Sequence, residues 1–219
     1  MHSVTDALAE FWQIWSFNLV LDVGRYVIAA GALALIVRLF WNFGLSRRKI
    51  QARFASSADV RREILTSLRT AILFSLTGVG IMYGAMHGVF TVYTDFDTRG
   101  AGYLALSLIG IILAHDTYFY WAHRMMHLPR LYPYFHRTHH RSVTPTPFAA
   151  YAFDIPEALV MSAFTPLWLS VVPMHALGLF LFMAFMIVRN VMGHSGVELM
   201  PRALADSRLF GWINEISDL

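Results

Sequence analysis

The sequence contains no cysteine and few charged residues. Without cysteine, the chain can form no disulfide bond, thiolate metal ligand or iron–sulfur cluster. Charged residues make up 14% of its 219 residues, whereas soluble proteins average about 25%. Because 57% of the residues are hydrophobic, this shortage of charge indicates a surface in contact with lipid. The length suits a single domain over residues 1–219.

Apolar segments as long as a membrane span predict an all-α integral membrane protein with four to five transmembrane helices. A bilayer core of about 30 Å requires about 20 residues of helix. The predicted spans cover residues 23–43, 68–93, 101–122, 155–172 and 174–192. Residues 3–19 show the periodicity of an amphipathic helix lying at a membrane interface. A tight turn at Pro173 separates the last two spans, and a re-entrant or tilted hairpin is the alternative for that pair.

Arginine and lysine are distributed unevenly between the connecting loops. Residues 44–69 carry seven of them, whereas residues 93–100 carry two aspartates and a single arginine. The positive-inside rule therefore places the first loop in the cytoplasm and the N-terminus outside. The basic pI of 9.4 is attributed to this topology, and no nucleic-acid partner is expected. The predicted location is the bacterial inner membrane, with the segment after the third span forming a cytoplasmic, histidine-rich helical cap.

Histidines cluster at the cytoplasmic end of the third predicted span. Five of the ten histidines lie within eighteen residues. The first two are four residues apart, so they share one helical face, and the spacing of the next three predicts a second shared face. Prolines between the two groups predict a turn that folds one face over the other. Since neutral imidazole binds iron, zinc and copper, the pattern predicts a metal site formed by His123, His127, His136, His139 and His140.

These histidines lie in a sequence that resembles a known family. The segments HDTYFYWAHRMMH and LYPYFHRTHH are similar to the first two histidine boxes of the sterol desaturase and fatty acid hydroxylase superfamily, over about residues 114–148. The resemblance implies that all five clustered histidines are metal ligands. The later segment GHSGVELMP resembles another family element, which implies that His194 is a further ligand or a close neighbour. A helix-end histidine bonded to the backbone is the alternative for His194.

The resemblance also implies a cofactor and a reaction. Members of the superfamily use two non-haem iron ions with dioxygen as co-substrate, and their substrates are membrane lipids. We therefore expect an oxygen-dependent hydroxylase or desaturase in lipid biosynthesis, acting on a sterol, a fatty acyl chain or a related lipid. No flavin, haem or iron–sulfur motif is visible in the sequence, so we expect the electron donor to be a separate protein.

A third histidine box of the family, another HxxHH, is expected after His194, and no such pattern occurs before Leu219. Two metals need about eight ligands, and six histidines fall short of that number. We therefore expect the histidine-box region, residues 101–219, to lack part of the site. The 219-residue chain is then expected to bind fewer than two metals and not to oxidise lipid. The alternatives are a non-catalytic membrane metal-binding protein, a b-type haem membrane protein and a metal transporter.

Asp116 lies near the helical face that carries His123 and His127, and it follows His115 in the sequence. Two interpretations are open for these two residues. They orient a ligand imidazole through a hydrogen bond, or they form hydrogen bonds between helices inside the membrane. The remaining histidines, His2, His87 and His175, are expected at membrane interfaces and not in the metal site.

Overall fold

A computed structural model describes residues 4–199, and statements about the structure refer to this part of the chain. His2 and the segment that was expected to precede a third histidine box, residues 200–219, lie outside the described residues. The α-helices are α1 (Val4–Phe40), α2 (Ser57–Met86), α3 (Gly100–Met126), α4 (Tyr132–Phe135), α5 (Ile155–Leu169) and α6 (Ala176–Gly193). The strands are β1 (Val92–Tyr93) and β2 (Met174–His175). Short 3₁₀ helices cover Trp41–Phe43, Leu45–Arg48, Phe96–Thr98, His139–Arg141 and Pro147–Tyr151.

Four helices, α1, α2, α3 and α6, are long and apolar enough to cross a membrane. The prediction of an all-α integral membrane protein is therefore confirmed. Helix α5 is apolar but has only 15 residues, fewer than the about 20 that a full span requires. The count of four to five transmembrane helices thus corresponds to four long helices and one short one.

The prediction of a separate interfacial helix before the first span is wrong. Helix α1 runs without a break over 37 residues, because no proline interrupts it and because its first half packs against α2. Trp15 Nε1 donates a hydrogen bond to Ser75 Oγ (3.0 Å), and Asn18 Nδ2 lies 3.1 Å from Met82 Sδ. These contacts hold the first half of α1 in the helix bundle, and the residues expected to form a separate helix continue into the first span.

Helix α2 begins earlier than predicted because its first residues form a capping box. Ser56 Oγ accepts a hydrogen bond from Asp59 N (3.2 Å), and Asp59 Oδ2 accepts one from Ser56 N (3.0 Å). This reciprocal pair satisfies backbone donors that the first turn of a helix leaves free. The helix ends at Met86 and not at the predicted residue 93. Two residues after this end, Gly88 adopts a positive φ of 72°, which turns the chain out of the helix.

Helix α5 connects the two ends of the helix bundle. Its first turn lies against the histidine segment, where Thr138 N donates a hydrogen bond to Asp154 Oδ2 (2.7 Å). Its last residue is followed by β2, which pairs in parallel with β1 in the connection between α2 and α3. The Tyr103 hydroxyl fixes the same corner by donating to Pro173 O (3.1 Å). The connection between α5 and α6 therefore lies at the end of the bundle opposite to the histidines.

The arginine-rich connection after α1 lies at the same end of the bundle as the histidine segment. Arg62 Nη2 donates to Arg141 O (3.2 Å), and Ile50 N donates to Gly196 O (3.1 Å). This is the arrangement that the positive-inside prediction requires, since both segments were placed on one side of the membrane. Which side of the membrane this end of the bundle faces stays a prediction.

An ion pair inside the bundle connects α3 with α6. Arg189 Nη1 contacts Asp116 Oδ1, and the Asp116 side chain is buried. Ionisable groups in a membrane helix are costly and are usually paired. The structure thus places Asp116 in an interhelical contact, and His115 Nδ1 lies 3.8 Å from the same carboxylate oxygen.

We predict that replacing Arg189 by leucine destabilises the protein by on the order of 3 kcal/mol, because it leaves Asp116 buried without its partner. The double variant Asp116→Leu with Arg189→Leu is expected to recover most of this loss. Thermal unfolding in detergent, followed by circular dichroism, measures both. The control is Arg124→Leu, because Arg124 is exposed and contacts the Tyr120 hydroxyl (2.9 Å) and the Trp121 ring but no carboxylate in the described part of the chain. Equal melting temperatures for the two single variants would contradict the prediction.

Candidate metal centre

The end of α3 and the segment after it form a sharp turn. Helix α3 ends at Met126, and Tyr132 N donates to Leu128 O (2.9 Å) as the chain reverses into α4. Pro133 occupies the first turn of α4, where its missing N–H is not needed. The turn predicted from the two prolines is therefore confirmed, and it brings His136 back over the last turn of α3.

Four histidines converge through their Nε2 atoms at this turn, and we call them the four-histidine group: His123, His127, His136 and His140. His123 Nε2 lies 2.8 Å from His136 Nε2 and 3.2 Å from His127 Nε2. His140 Nε2 lies 3.3 Å from His127 Nε2. The structure thus combines both predicted boxes in a single cluster of ligand atoms.

The geometry and protonation of the four-histidine group fit a divalent transition metal. Four nitrogens at about 2.0–2.1 Å from one tetrahedral metal lie about 3.3 Å from one another, close to the observed separations. Burial lowers the pKa of His136 and of His140 to about 4, and burial also lowers the pKa of His127. These rings are therefore neutral near pH 7, which is the form that binds metal.

His136, His139 and His140 lie close together, with ring centroids 4.8–5.9 Å apart, but on successive short turns and not on the single helical face that was predicted. The segment is a 3₁₀ turn, His139–Arg141, in which consecutive side chains diverge. His139 Nε2 instead lies 3.1 Å from His194 Nε2 at the end of α6. We call these two residues the histidine pair.

The backbone interpretation of His194 is confirmed, and its role as a metal ligand stays a prediction. Its Nδ1 lies 2.8 Å from Asn190 O, so the ring donates to the backbone and its Nε2 keeps a free lone pair. That lone pair faces His139. A backbone contact at one ring nitrogen that directs the other toward a metal is a common arrangement around metal ligands.

The histidine pair lies next to the four-histidine group. The rings of His136 and His139 stack with centroids 4.9 Å apart and planes at 12°. All six histidines predicted as ligands therefore belong to one continuous cluster. Among the residues between 4 and 199, His87 and His175 contact other parts of the chain: His87 Nδ1 lies 2.9 Å from Tyr83 O, and His175 Nδ1 accepts from Leu177 N.

Glu157 contacts the cluster and was missed in the sequence. It is 2% exposed, and its Oε1 lies 2.8 Å from His136 Nδ1 and 3.7 Å from His139 Nδ1. The contact with His136 has the length of a hydrogen bond without the alignment of one, since this Nδ1 has no aligned partner. The signal available was a glutamate at the start of an apolar segment, where an ionisable residue usually has a specific role.

The cluster is closed on the side of the bundle and open at its end. His123 and His136 are buried, His127 is partly buried and His140 is exposed. A shallow apolar groove of about 650 Å³ runs along α3 and α5 from Trp168 to Met125, and Ala122, beside His123, is part of its lining. The centre thus has one face toward the arginine-rich end and a lipid-facing groove at its side.

Comparison with known proteins agrees with this geometry. The fatty acid hydroxylase family model matches residues 108–215. A Delta(7)-sterol 5(6)-desaturase of Gibberella zeae is 32% identical over 164 residues, which are 74% of this chain and 48% of that protein. The chain belongs to the sterol desaturase and fatty acid hydroxylase superfamily. A lathosterol oxidase of Homo sapiens is 26% identical over 167 residues, 75% of this chain and 54% of that protein.

The chain spans about half the length of the curated relatives that it matches. The family match covers nearly all of the predicted histidine-box region, 101–219, and includes the six clustered histidines. No solved structure matches the chain.

We predict that His123→Ala and His140→Ala each weaken metal binding by roughly 10-fold or more, because each removes one of four converging nitrogens; loss of an outer contact alone costs about 10–100-fold. His140 is the sharper test, since it is exposed and its loss leaves the packing intact. The control is His87→Ala at the exposed end of α2. Metal content after dialysis measures the effect, and equal metal in all three variants would contradict the assignment.

Proposed function

We propose that this chain is the histidine-box part of an oxygen-dependent lipid hydroxylase or desaturase that uses two non-haem iron ions. The observation that carries the proposal is the four-histidine group, whose Nε2 atoms lie 2.8–3.3 Å apart along the cluster. When bound, iron supplies the oxidising chemistry needed to break an unactivated C–H bond, which no side chain provides. Histidine suits this task because it binds iron without being oxidised as a thiolate would be.

Each histidine has a role in this proposal. The four-histidine group holds one iron, and the histidine pair, His139 and His194, contributes to the second. Two imidazoles do not complete the coordination of a metal, so the second iron needs further ligands. The resemblance to the superfamily implies that a third HxxHH box supplies them.

A membrane lipid is the substrate class that fits the surroundings of the centre. The groove along α3 and α5 is lined mainly by apolar and aromatic side chains, and it faces the region where lipid chains lie. The relatives named above are sterol-modifying proteins by name, which supports a sterol or a fatty acyl lipid. Arg137 and Arg141 are exposed and flank His139 and His140 along the chain, and at this open side of the cluster we place the docking of a separate electron-transfer protein.

A second candidate is a membrane metal-binding protein without catalytic activity. It is favoured by one observation, the presence of only two imidazoles in the histidine pair. Dense clustering of histidines is at odds with a b-type haem protein, which uses isolated ligands on facing helices. The ligands also gather at one helix end beside arginines, and not at mid-membrane as a metal transporter would require.

Anaerobic loading with ferrous iron tests the proposal. We predict one tightly bound iron per 219-residue chain, a second bound more weakly, and no lipid oxidation on adding oxygen and a reductant. A form that carries a third HxxHH box is expected to bind two irons and to oxidise lipid. Metal analysis and mass spectrometry of the lipids measure both. A chain that binds no iron, or that binds haem by its optical spectrum, would refute the proposal, and two tight irons with turnover would show that the ligand count is wrong.

We further propose that the histidine end faces the cytoplasm of a bacterial inner membrane. The support is the arginine excess at that end, where the connection after α1 meets the histidine segment. An electron donor from the cytoplasm then reaches the exposed side of the cluster directly.

Single cysteines test this orientation without background, because the chain has no cysteine. Asp97 and Val143 are both exposed and lie at opposite ends of the bundle. A membrane-impermeant thiol reagent is expected to label Asp97→Cys in intact bacterial cells and to leave Val143→Cys unlabelled. Both positions should react after the cells are opened. Labelling of position 143 alone in intact cells would reverse the topology.

A further inference from the structure

The first turn of α5 presents two carboxylates to the second histidine box. Asp154 Oδ2 accepts a hydrogen bond from Thr138 N (2.7 Å), and Glu157 Oε1 faces the Nδ1 atoms of His136 and His139. Negative charge is favourable at a helix N-terminus because of the helix dipole. The start of this helix therefore places two carboxyl groups directly behind the histidine rings.

The other nitrogen of each ring faces the cluster. His136 Nε2 lies 2.8 Å from His123 Nε2, and His139 Nε2 lies 3.1 Å from His194 Nε2. A neutral imidazole carries one N–H and one lone pair, and the contact made by one nitrogen determines which nitrogen is the donor. A carboxylate at Nδ1 selects the Nδ1–H form and leaves the lone pair at Nε2.

Neither Nδ1 atom has another partner. Both are buried, and within residues 4–199 neither makes an aligned hydrogen bond. Glu157 is the carboxylate at 2.8 Å from His136, and it faces His139 at the longer distance of 3.7 Å. The parallel stacking of the two rings at 4.9 Å explains why one oxygen serves both.

We propose that Glu157 is a positioning residue that fixes the Nδ1–H tautomer of His136 and, more weakly, of His139, so that both rings direct their Nε2 lone pairs at the metals. This inference rests on the proposed metal site, but the tautomer is a property of the metal-free protein. Outer carboxylates that hold ligand imidazoles in this way typically contribute 10–100-fold to metal affinity.

Direct coordination by Glu157 is the competing arrangement. The three residues His136, His139 and Glu157 lie close enough to hold a metal. In that case the rings would coordinate through Nδ1, and His136 would have to bind two metals with its two nitrogens. His139 would then bind the metal through Nδ1, and its Nε2, which faces His194, would bind none. The positioning role uses every nitrogen once, and we therefore favour it.

Glu157→Gln is a sharp test because both oxygens of Glu157 are engaged. Oε1 faces the two rings, and Oε2 accepts from Asp154 N (3.4 Å). A glutamine of the same shape has only one acceptor, so either the ring contact or the helix cap is lost. When the amide nitrogen faces His136, it donates to Nδ1 and moves the ring proton to Nε2.

The matched control is Glu63→Gln. Glu63 is a fully buried carboxylate on α2, and its Oε2 accepts a hydrogen bond from Thr146 Oγ1 (2.5 Å). It therefore reproduces the loss of a buried carboxyl group, and within residues 4–199 it forms no hydrogen bond or ion pair with a histidine ring.

The first readout is the ¹⁵N spectrum of histidine-labelled, metal-free protein near pH 7, which distinguishes Nδ1–H from Nε2–H rings. The second is the affinity for ferrous iron. We expect Glu157→Gln to convert the His136 signal from Nδ1–H to Nε2–H and to weaken iron binding by about 10–100-fold, and Glu63→Gln to change neither. Circular dichroism tests whether both variants fold. If Glu157→Gln does not fold, the tautomer of His136 in the wild-type protein alone decides whether Glu157 has the positioning role.

Two results would overturn the inference. One is an Nε2–H tautomer of His136 in the wild-type protein. The other is a variant that leaves the tautomer of His136 unaltered: unchanged tautomer and iron affinity in both Glu157→Gln and Glu157→Leu, since leucine offers the ring no acceptor, would remove the positioning role, and loss of one whole iron site would make Glu157 a ligand. A wild-type chain that binds no iron would refute the proposed function, whereas the tautomer measurement would still decide the role of Glu157.

Discussion

The contact between His123 Nε2 and His136 Nε2, at 2.8 Å, is the interaction on which the site depends. Two imidazole nitrogens at this distance attract each other only if one carries a proton or if a cation lies between them. The contact joins the last turn of a membrane helix to a segment that has left the helix bundle. His127 and His140 direct their Nε2 atoms toward the same point, and this arrangement suits a cation bound between the four rings.

Helices α1 and α2, which precede the histidines in the sequence, hold the connection between the second histidine box and α5 in place. The Tyr26 hydroxyl and Ser67 Oγ both donate to Phe148 O, at 2.9 and 2.8 Å, and Arg69 donates to Phe153 O. The Phe153 ring in turn stacks on His139, with centroids 5.5 Å apart. Helices α1 and α2 contribute no ligand, yet they fix the segment that positions one.

Lipid also explains where the cluster lies. Inside the hydrocarbon region, each backbone polar group needs a partner in the protein, so the spans are uninterrupted helices. Histidines that converge from sharp turns can therefore gather only where helices end. The last turn of α3, the end of α6 and the start of α5 meet at one end of the bundle, and this gives the centre contact with lipid on its side and with polar surroundings at its open face.

Several properties of this protein were determined by the sequence alone. Composition established the membrane class, and arginine asymmetry placed the loop after α1 beside the histidine segment. The six histidines were identified because four-residue spacing on a helix fixes which side chains are neighbours, and because their order resembles a known family. The prediction of a separate first helix was wrong because periodicity describes the faces of a helix and not whether it continues into the next apolar segment.

Only the tertiary structure decided which ring faces which. His123 and His136 are 13 residues apart, and His139 and His194 are 55 apart, separations at which the path of the chain, and not local geometry, sets the distance. The same holds for Glu157, whose contact with His136 requires α5 to begin directly behind the second histidine box. Spacing names the histidines of this site, whereas the packing of α3, α5 and α6 determines which nitrogen each of them presents.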